Sequence, residues 1–317
     1  MYQVRRPSRS EFVHIRDQRY HVRLWGTPRP GEAPLFLVHG WMDVSASWQF
    51  VVDALSQDRF IVAPDWRGFG LTRALSHVDS DSPTAYSHGD HYFFPDYLAD
   101  LDALVDHYNA QLGQPDAPID LVGHSMGGNV VMLYGGVRSQ RVRRLVNLEG
   151  FGMPATRPAQ APGRYARWLD ELRGLRQGTI DLKTYDSLDG VARRLMKTNR
   201  RLPEPQARWL ASHWAAKNAA GRWEVLGDAA HKIVNPQLYR VDEVLEVFKR
   251  ITAPVLAVEA SDDSLGAWFK GEYTLAQYHE RLQAVPDCRV AVVADAGHML
   301  HHDQPAEVAR LLETFLA

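Results

Sequence analysis

Residues 119–136 constrain the fold of this chain more than any other stretch. A short apolar run is followed by a run with helical spacing that begins near Met126. Between them lies the pattern Gly123-x-Ser125-x-Gly127, which predicts a sharp turn from a strand into a helix with a serine at its tip. Glycine at the two flanking positions removes Cβ atoms that would collide with adjacent elements. Such short patterns also occur by chance in plain turns, so the interpretation depends on the rest of the chain.

The composition is that of a globular protein and excludes several classes. The chain has 317 residues, of which 45% are hydrophobic and 23% charged, and its formal net charge is -2. There is no basic field for nucleic acid, no signal-type leader and no stretch of the ~20 apolar residues needed to cross a bilayer. A single cysteine, Cys288, excludes an internal disulfide and a cysteine-rich metal site. We therefore expect a cytoplasmic protein without a membrane span. These features are compatible with a homo-oligomer.

Short apolar runs alternate with helical patterns along most of the chain. The segment 11–25 alternates as a β-hairpin does. Continuous apolar runs typical of buried parallel strands follow at 35–38 and 60–63, and further predicted strands, mostly apolar, lie at 119–122, 144–148, 254–260 and 288–293. Helical spacing between these runs, as at 97–112, implies right-handed crossovers. The chain is therefore predicted to form an α/β fold with a mostly parallel sheet and helices on both faces.

One segment departs from this alternation. Residues 153–163 hold three prolines and no hydrophobic period, and helical patterns dominate from there to residue 248. We predict that 153–248 is a helical cap inserted into a core made of 1–152 and 249–317.

Several polar or chemically reactive groups follow predicted strands. Trp41, Ser125, Asp263 and His298 each lie at a strand's carboxyl end, where parallel sheets bind their ligands. Glu149 also follows a strand and is a reserve candidate for an acid. The order along the chain is serine, acid, histidine.

A second group of polar residues precedes the helix at 97–112. His88, Asp90, His91 and Asp96 include metal-ligating types, but their spacing matches no ligand pair on a helix or strand. We interpret this stretch as part of a solvated loop over 72–94, and we predict neither a metal site nor a cofactor.

The combination of motifs resembles the α/β-hydrolase family, and the resemblance covers nearly all of the chain. It also resembles the group of capped serine hydrolases within that family, which implies an eight-stranded sheet with a cap after the sixth strand. The segments that carry the resemblance are His39-Gly40-Trp41, Asp65-Trp66-Arg67-Gly68-Phe69-Gly70, Gly123-His124-Ser125-Met126-Gly127-Gly128, Val258 to Asp263, and Asp295-Ala296-Gly297-His298.

The resemblance implies a role for the serine and the histidine. Ser125 would be the nucleophile, and His298 would be the base that activates it and later protonates the leaving group. His301 and His302 are poorer base candidates, because the family places the base directly after a glycine, here Gly297.

The resemblance also implies an acid, although the sequence departs from the family's pattern there. In the family, the acid lies three residues beyond a glycine at the strand end, and Ala260 stands at that place here. This position points to Asp263, leaves Asp262 open, and keeps Glu149 in reserve. The backbone N–H groups of Trp41 and Met126 would form the oxyanion hole.

These assignments lead to a functional expectation. A cofactor-independent serine hydrolase would cleave a small carboxylic ester, most simply an apolar one, through an acyl-enzyme. The same residues could instead serve hydrolysis of an amide, a lactone or a carbon–carbon bond. A third hypothesis is a receptor-like ligand-binding protein with slow turnover.

Overall fold

The computed structural model describes residues 2–77 and 90–317, so His88 and part of the predicted loop lie outside the described residues. The strands are β1 Arg9–Ile15, β2 Gln18–Trp25, β3 Leu35–Val38, β4 Ile61–Pro64, β5 Arg73–Ala74, β6 Ile119–His124, β7 Val142–Leu148, β8 Thr184–Tyr185, β9 Ala215–Lys217, β10 Trp223–Val225, β11 Val255–Ala260 and β12 Cys288–Val293. The helices are α1 Gln49–Ala54, α2 Phe94–Gln111, α3 Met126–Val137, α4 Ala161–Arg176, α5 Leu188–Thr198, α6 Glu204–Trp214, α7 Val241–Phe248, α8 Ser264–Phe269, α9 Leu275–Leu282, α10 Leu300–Asp303 and α11 Pro305–Leu316.

The central sheet confirms the predicted fold class. Its main path runs β1-β2-β4-β3-β6-β7-β11-β12, and β5 adds a short ninth strand beside β2. The hairpin end is antiparallel, whereas every pair from β4 to β12 along this path is parallel. The carboxyl ends of six neighbouring strands therefore open at one edge of the sheet, where ligands bind in such folds.

Apolar layers cover both faces of the sheet. One layer contains Leu101, Leu104 and Val105 of α2 together with Val130 and Val131 of α3. The other packs α1 and the C-terminal helix α11 against the opposite face. Strands buried on both faces favour apolar sequence, which explains why β3 is an unbroken hydrophobic run and why β6 and β11 are mostly apolar. No helix of the described residues is long and apolar enough to cross a membrane.

The segment between β7 and β11 is largely helical and also contains a small separate sheet. The short strands β8, β10 and β9 pair in that order. Helices α5 and α6 share an apolar cluster with Val44, Ala46 and Phe50, which follow β3 and begin α1. The inserted segment thus packs over the carboxyl edge of the sheet. Its treatment as a separate cap over 153–248 stays a prediction.

Candidate active site

Ser125 occupies a strained turn between β6 and α3. Its backbone has φ 54° and ψ -115°, a conformation that is costly for a residue with a Cβ. Two glycines make the turn possible. A Cβ on Gly123 would lie 2.3 Å from the carbonyl oxygen of Gly127, and a Cβ on Gly127 would lie 2.5 Å from the carbonyl oxygen of Val38. The local sequence therefore forces the serine to project from the edge of the sheet.

A chain of two hydrogen bonds joins Ser125 to a buried acid. The Ser125 hydroxyl donates to His298 Nε2 at 2.9 Å. His298 Nδ1–H donates to Glu149 Oε2 at 3.2 Å. This is the arrangement of nucleophile, base and acid that activates a serine, since the base can accept the hydroxyl proton and the acid fixes the imidazole tautomer.

Glu149 reaches this position because it follows β7, the strand next to β6. The residue has φ 55° and is only 3% exposed. Its Oε1 accepts a hydrogen bond of 2.7 Å from the backbone N–H of Ala260, at the end of β11. A backbone donor on one oxygen and the imidazole on the other hold the carboxyl group in a single orientation.

Burial disfavours the charged form of both His298 and Glu149. It raises the pKa of Glu149 to about 7, although the bonds from Ala260 and Ser264 act in the opposite direction. Burial also lowers the pKa of His298 to about 3, so the imidazole is neutral at neutral pH and can accept a proton.

Asp263 does not make the contact that sequence analysis expected. Its Oδ1 accepts a hydrogen bond of 2.8 Å from the backbone N–H of Gly266 and caps α8. Asp262 forms an exposed ion pair of 2.7 Å with Arg201. Among the described residues, neither aspartate bonds to His298. The physical reason is that Asp263 turns into the first turn of α8, while Glu149 enters from the adjacent strand end.

The residues expected to form an oxyanion hole lie around the same serine. Met126 is the first residue of α3, so its N–H has no acceptor within the helix. Gly40 approaches the serine so closely that a Cβ on it would lie 3.1 Å from Ser125 Cβ, and Trp41 follows directly. The role of the two N–H groups stays a prediction.

A cavity of about 390 Å³ opens beside Ser125 and His298, a size suited to a small molecule. Its lining includes Trp41 and Met299, which follow strands of the central sheet, and also Leu210 and Trp214 of the inserted segment. Three cationic side chains also line it, Lys183, Arg194 and Lys232.

The structure places two further residues against His298: Trp268, which sequence analysis did not single out, and Glu149, which it kept in reserve. The Trp268 ring stands edge-on to the His298 ring with centroids 4.3 Å apart, so it shields the imidazole from one side. No local pattern marks this tryptophan. For Glu149 a signal was present, because it is an acid placed directly after a buried strand and the family's glycine is replaced at Ala260.

One group of buried side chains could hold a metal ion. Asp43, His124 and His301 each offer a ligand atom, and these atoms lie within 4.8 Å of one another. They lie beside the serine without belonging to the hydrogen-bond chain.

The sequence model of the alpha/beta hydrolase family matches residues 35–311 of this chain. The chain is 26% identical to a serine hydrolase-like protein of Danio rerio, with 93% of this chain and 84% of that protein covered. It is 32% identical to a 2-hydroxy-6-oxo-2,4-heptadienoate hydrolase of Pseudomonas putida over a shorter stretch, 38% of each chain.

Among solved structures, a thioesterase domain from the curacin biosynthetic pathway superposes with a TM-score of 0.77 at 21% identity, covering 97% of this chain and 99% of that one. The family match spans most of the chain and agrees with the sheet order and the strand-turn-helix at Ser125. The chain therefore belongs to the alpha/beta hydrolase family and is a hydrolase that acts on small molecules.

Proposed function

We propose that this alpha/beta hydrolase is a serine hydrolase that cleaves carboxylic esters through an acyl-enzyme, with Ser125 as nucleophile, His298 as base and Glu149 as acid. The observation that carries the proposal is the continuous path from the serine hydroxyl through the imidazole to a buried carboxyl group. The relative from Danio rerio is itself described as serine hydrolase-like, which supports a serine-based reaction.

The reaction follows from the geometry. Ser125 Oγ attacks the ester carbonyl carbon while its proton passes to His298 Nε2. The N–H groups of Trp41 and Met126 stabilise the oxyanion, and the Glu149 carboxylate stabilises the imidazolium. His298 then protonates the leaving alcohol, which departs with its electron pair and leaves an acyl group on the serine. A water molecule, deprotonated by the same imidazole, hydrolyses the acyl-enzyme and restores Ser125.

A panel of p-nitrophenyl esters from acetate to palmitate tests this proposal. We expect turnover by the wild type and a loss of about 10³-fold or more in Ser125→Ala, because the nucleophile is removed. Ser139→Ala is the matched control, since Ser139 lies in the turn after α3 and does not line the cavity. Equal activity of Ser125→Ala and Ser139→Ala would refute the nucleophile assignment. A stoichiometric burst without sustained turnover would favour the receptor-like alternative.

A second candidate function rests on the charge of the cavity. Among the described residues, neither Lys183 nor Arg194 pairs with a carboxylate, although both line the cavity. Unpaired cations at a substrate cavity favour a substrate with an anionic group away from the bond that breaks. The Pseudomonas relative is named as a hydrolase of a heptadienoate. Hydrolysis of a carbon–carbon or amide bond in a carboxylic acid is therefore the second candidate.

The cationic wall can be tested by comparing two esters of equal length. One carries a terminal carboxylate and the other a terminal methyl group. We expect Arg194→Gln to lower kcat/KM for the anionic ester by about 10-fold and to leave the neutral ester near wild type. Arg193→Gln is the control, because Arg193 precedes it in α5 without lining the cavity. An equal effect of both substitutions on both esters would count against an anionic substrate.

A further inference from the structure

A buried group of three side chains lies beside the catalytic serine and takes no part in the proposed reaction. Asp43 lies in the loop after β3, His124 ends β6 directly before Ser125, and His301 lies in α10, just after the turn that carries His298. Each side chain is at most 3% exposed. The three come from separate parts of the chain, so no local spacing in the sequence reveals them, and the sequence predicts no metal site.

Only one of the two carboxylate oxygens of Asp43 accepts hydrogen bonds from the described residues. Its Oδ1 accepts hydrogen bonds from the Val44 backbone at 2.9 Å, from the Trp214 indole N–H at 2.9 Å and from the Ser47 hydroxyl. Its Oδ2 is buried and has no hydrogen-bond partner among the described residues. A buried carboxylate oxygen without a donor is costly, and a cation would compensate it.

The tautomer of His124 leaves an unpaired nitrogen lone pair within the same buried group. His124 Nε2 lies 2.7 Å from the carbonyl oxygen of His298, which can only accept, so Nε2 carries the proton. His124 Nδ1 is therefore unprotonated, and it is buried without a hydrogen-bond partner. The neutral imidazole with a free nitrogen is the form that binds transition metals.

His301 supplies the third group. Its Nε2 lies 3.9 Å from Asp43 Oδ2, and its ring centroid lies 4.2 Å from that of His124. A tetrahedral zinc ion with bonds near 2.0–2.1 Å holds its ligand atoms about 3.4 Å apart. The three ligand atoms lie within 4.8 Å of one another, so small side-chain rotations bring them to that spacing.

We propose that Asp43, His124 and His301 form a binding site for a divalent transition-metal ion of the zinc class. Two imidazoles and one carboxylate are the ligand types that such ions prefer. Asp43 and His124 also line the cavity, which gives an ion a path of entry and leaves a fourth position for water or a small ligand. The proposal does not depend on the proposed ester hydrolysis, since none of the three residues is assigned a step in it.

The test is the binding of Zn²⁺ alone, measured by isothermal titration calorimetry and by the metal-induced shift of the thermal midpoint. We expect one Zn²⁺ per wild-type chain and a rise in the midpoint. Asp43→Asn keeps the shape of the side chain and an oxygen for the three donors, and it should weaken binding by about 10²-fold or more. His301→Gln should do the same. His107→Gln is the matched control, because His107 on α2 bonds to Gln111 and lies outside the group.

Ser125→Ala distinguishes this site from an ion held between the serine and His298. It should bind Zn²⁺ as tightly as the wild type. Binding that persists in Asp43→Asn and His301→Gln, or that is absent from the wild type at micromolar Zn²⁺, would overturn the proposal. Loss of binding in Ser125→Ala would overturn it too, by placing the ion on the serine. Because Asp43→Asn and His301→Gln remove different ligands, misfolding of one variant, detected by circular dichroism, leaves the other to decide.

Discussion

Glu149 holds its proton more tightly than an exposed glutamate because almost none of its surface meets water. Burial raises its pKa to about 7, and the group faces the imidazole that becomes charged in the proposed reaction. Only the ionised carboxylate stabilises an imidazolium. At the scale of single residues, the proposed reaction therefore depends on the protonation of this one carboxyl group.

We therefore expect kcat/KM to fall at acid pH, which gives the pH profile an acid limb. As the pH rises through about 7, Glu149 loses its proton and kcat/KM for an ester should rise toward a plateau. A pH profile of kcat/KM from about pH 5 to about pH 9 measures this limb. In Glu149→Gln the group no longer titrates, so the residual activity should lack the limb near pH 7. A wild-type profile that is flat between about pH 6 and pH 8 would contradict this account.

The sequence alone does not decide which acidic side chain contacts His298. Ser125 and His298 stand in local patterns whose backbone requirements are visible in the sequence, and the structure brings their side chains together. The acid depends on which strand end lies under the imidazole and which way its side chain turns. Glu149 and Asp263 both follow strands, and only the three-dimensional placement of β7 and α8 separates them.

At the scale of elements, the turn between β6 and α3 depends on close backbone contact. Strand β3 lies beside β6, and the carbonyl oxygens of Val38 and His39 would lie 2.5 and 2.6 Å from a Cβ on Gly127. The obstructing atoms are backbone atoms of a central strand, so they cannot move aside as a flexible side chain could.

We therefore expect Gly127→Ala to destabilise the protein by about 2 kcal/mol or more and to abolish most activity, because the strand and helix must separate. Urea unfolding and ester hydrolysis measure the two effects. Gly163→Ala is the control. Gly163 lies in α4 with open space around its Cα, and alanine there should stabilise by about 0.5–1 kcal/mol. Similar stability of the Gly127→Ala variant and the wild type would contradict the packing argument.

Most strands of the central sheet were predictable because they read as mostly apolar runs, which burial on both faces explains for β3 and β6 but not for the largely exposed edge strand β12. The runs at 35–38 and 288–293 coincide with β3 and β12 as observed, and the others differ by a few residues at their ends. The small sheet of β8, β9 and β10 was not predicted. Its strands are two or three residues long, too short for any period to show, and they form because the inserted segment folds back on itself.

At the scale of the whole molecule, the site is assembled where three strand ends meet. Ser125 follows β6, Glu149 follows β7, and His298 follows β12 beyond its neighbour β11. The inserted segment closes a cavity over this edge and contributes its cationic wall. The parallel sheet order thus places residues that are far apart in sequence within hydrogen-bond distance, and we propose that Glu149 completes this set.

The most direct test of that claim compares kcat/KM for one p-nitrophenyl ester among Glu149→Gln, Asp263→Asn and the wild type. The glutamine amide would place an N–H toward His298 Nδ1 and leave the imidazole proton on Nε2, so we expect a loss of about 10³–10⁴-fold. Asparagine caps a helix nearly as well as aspartate, so Asp263→Asn should stay within about 10-fold of wild type. The opposite ranking, with Asp263→Asn inactive and Glu149→Gln active, would contradict the account.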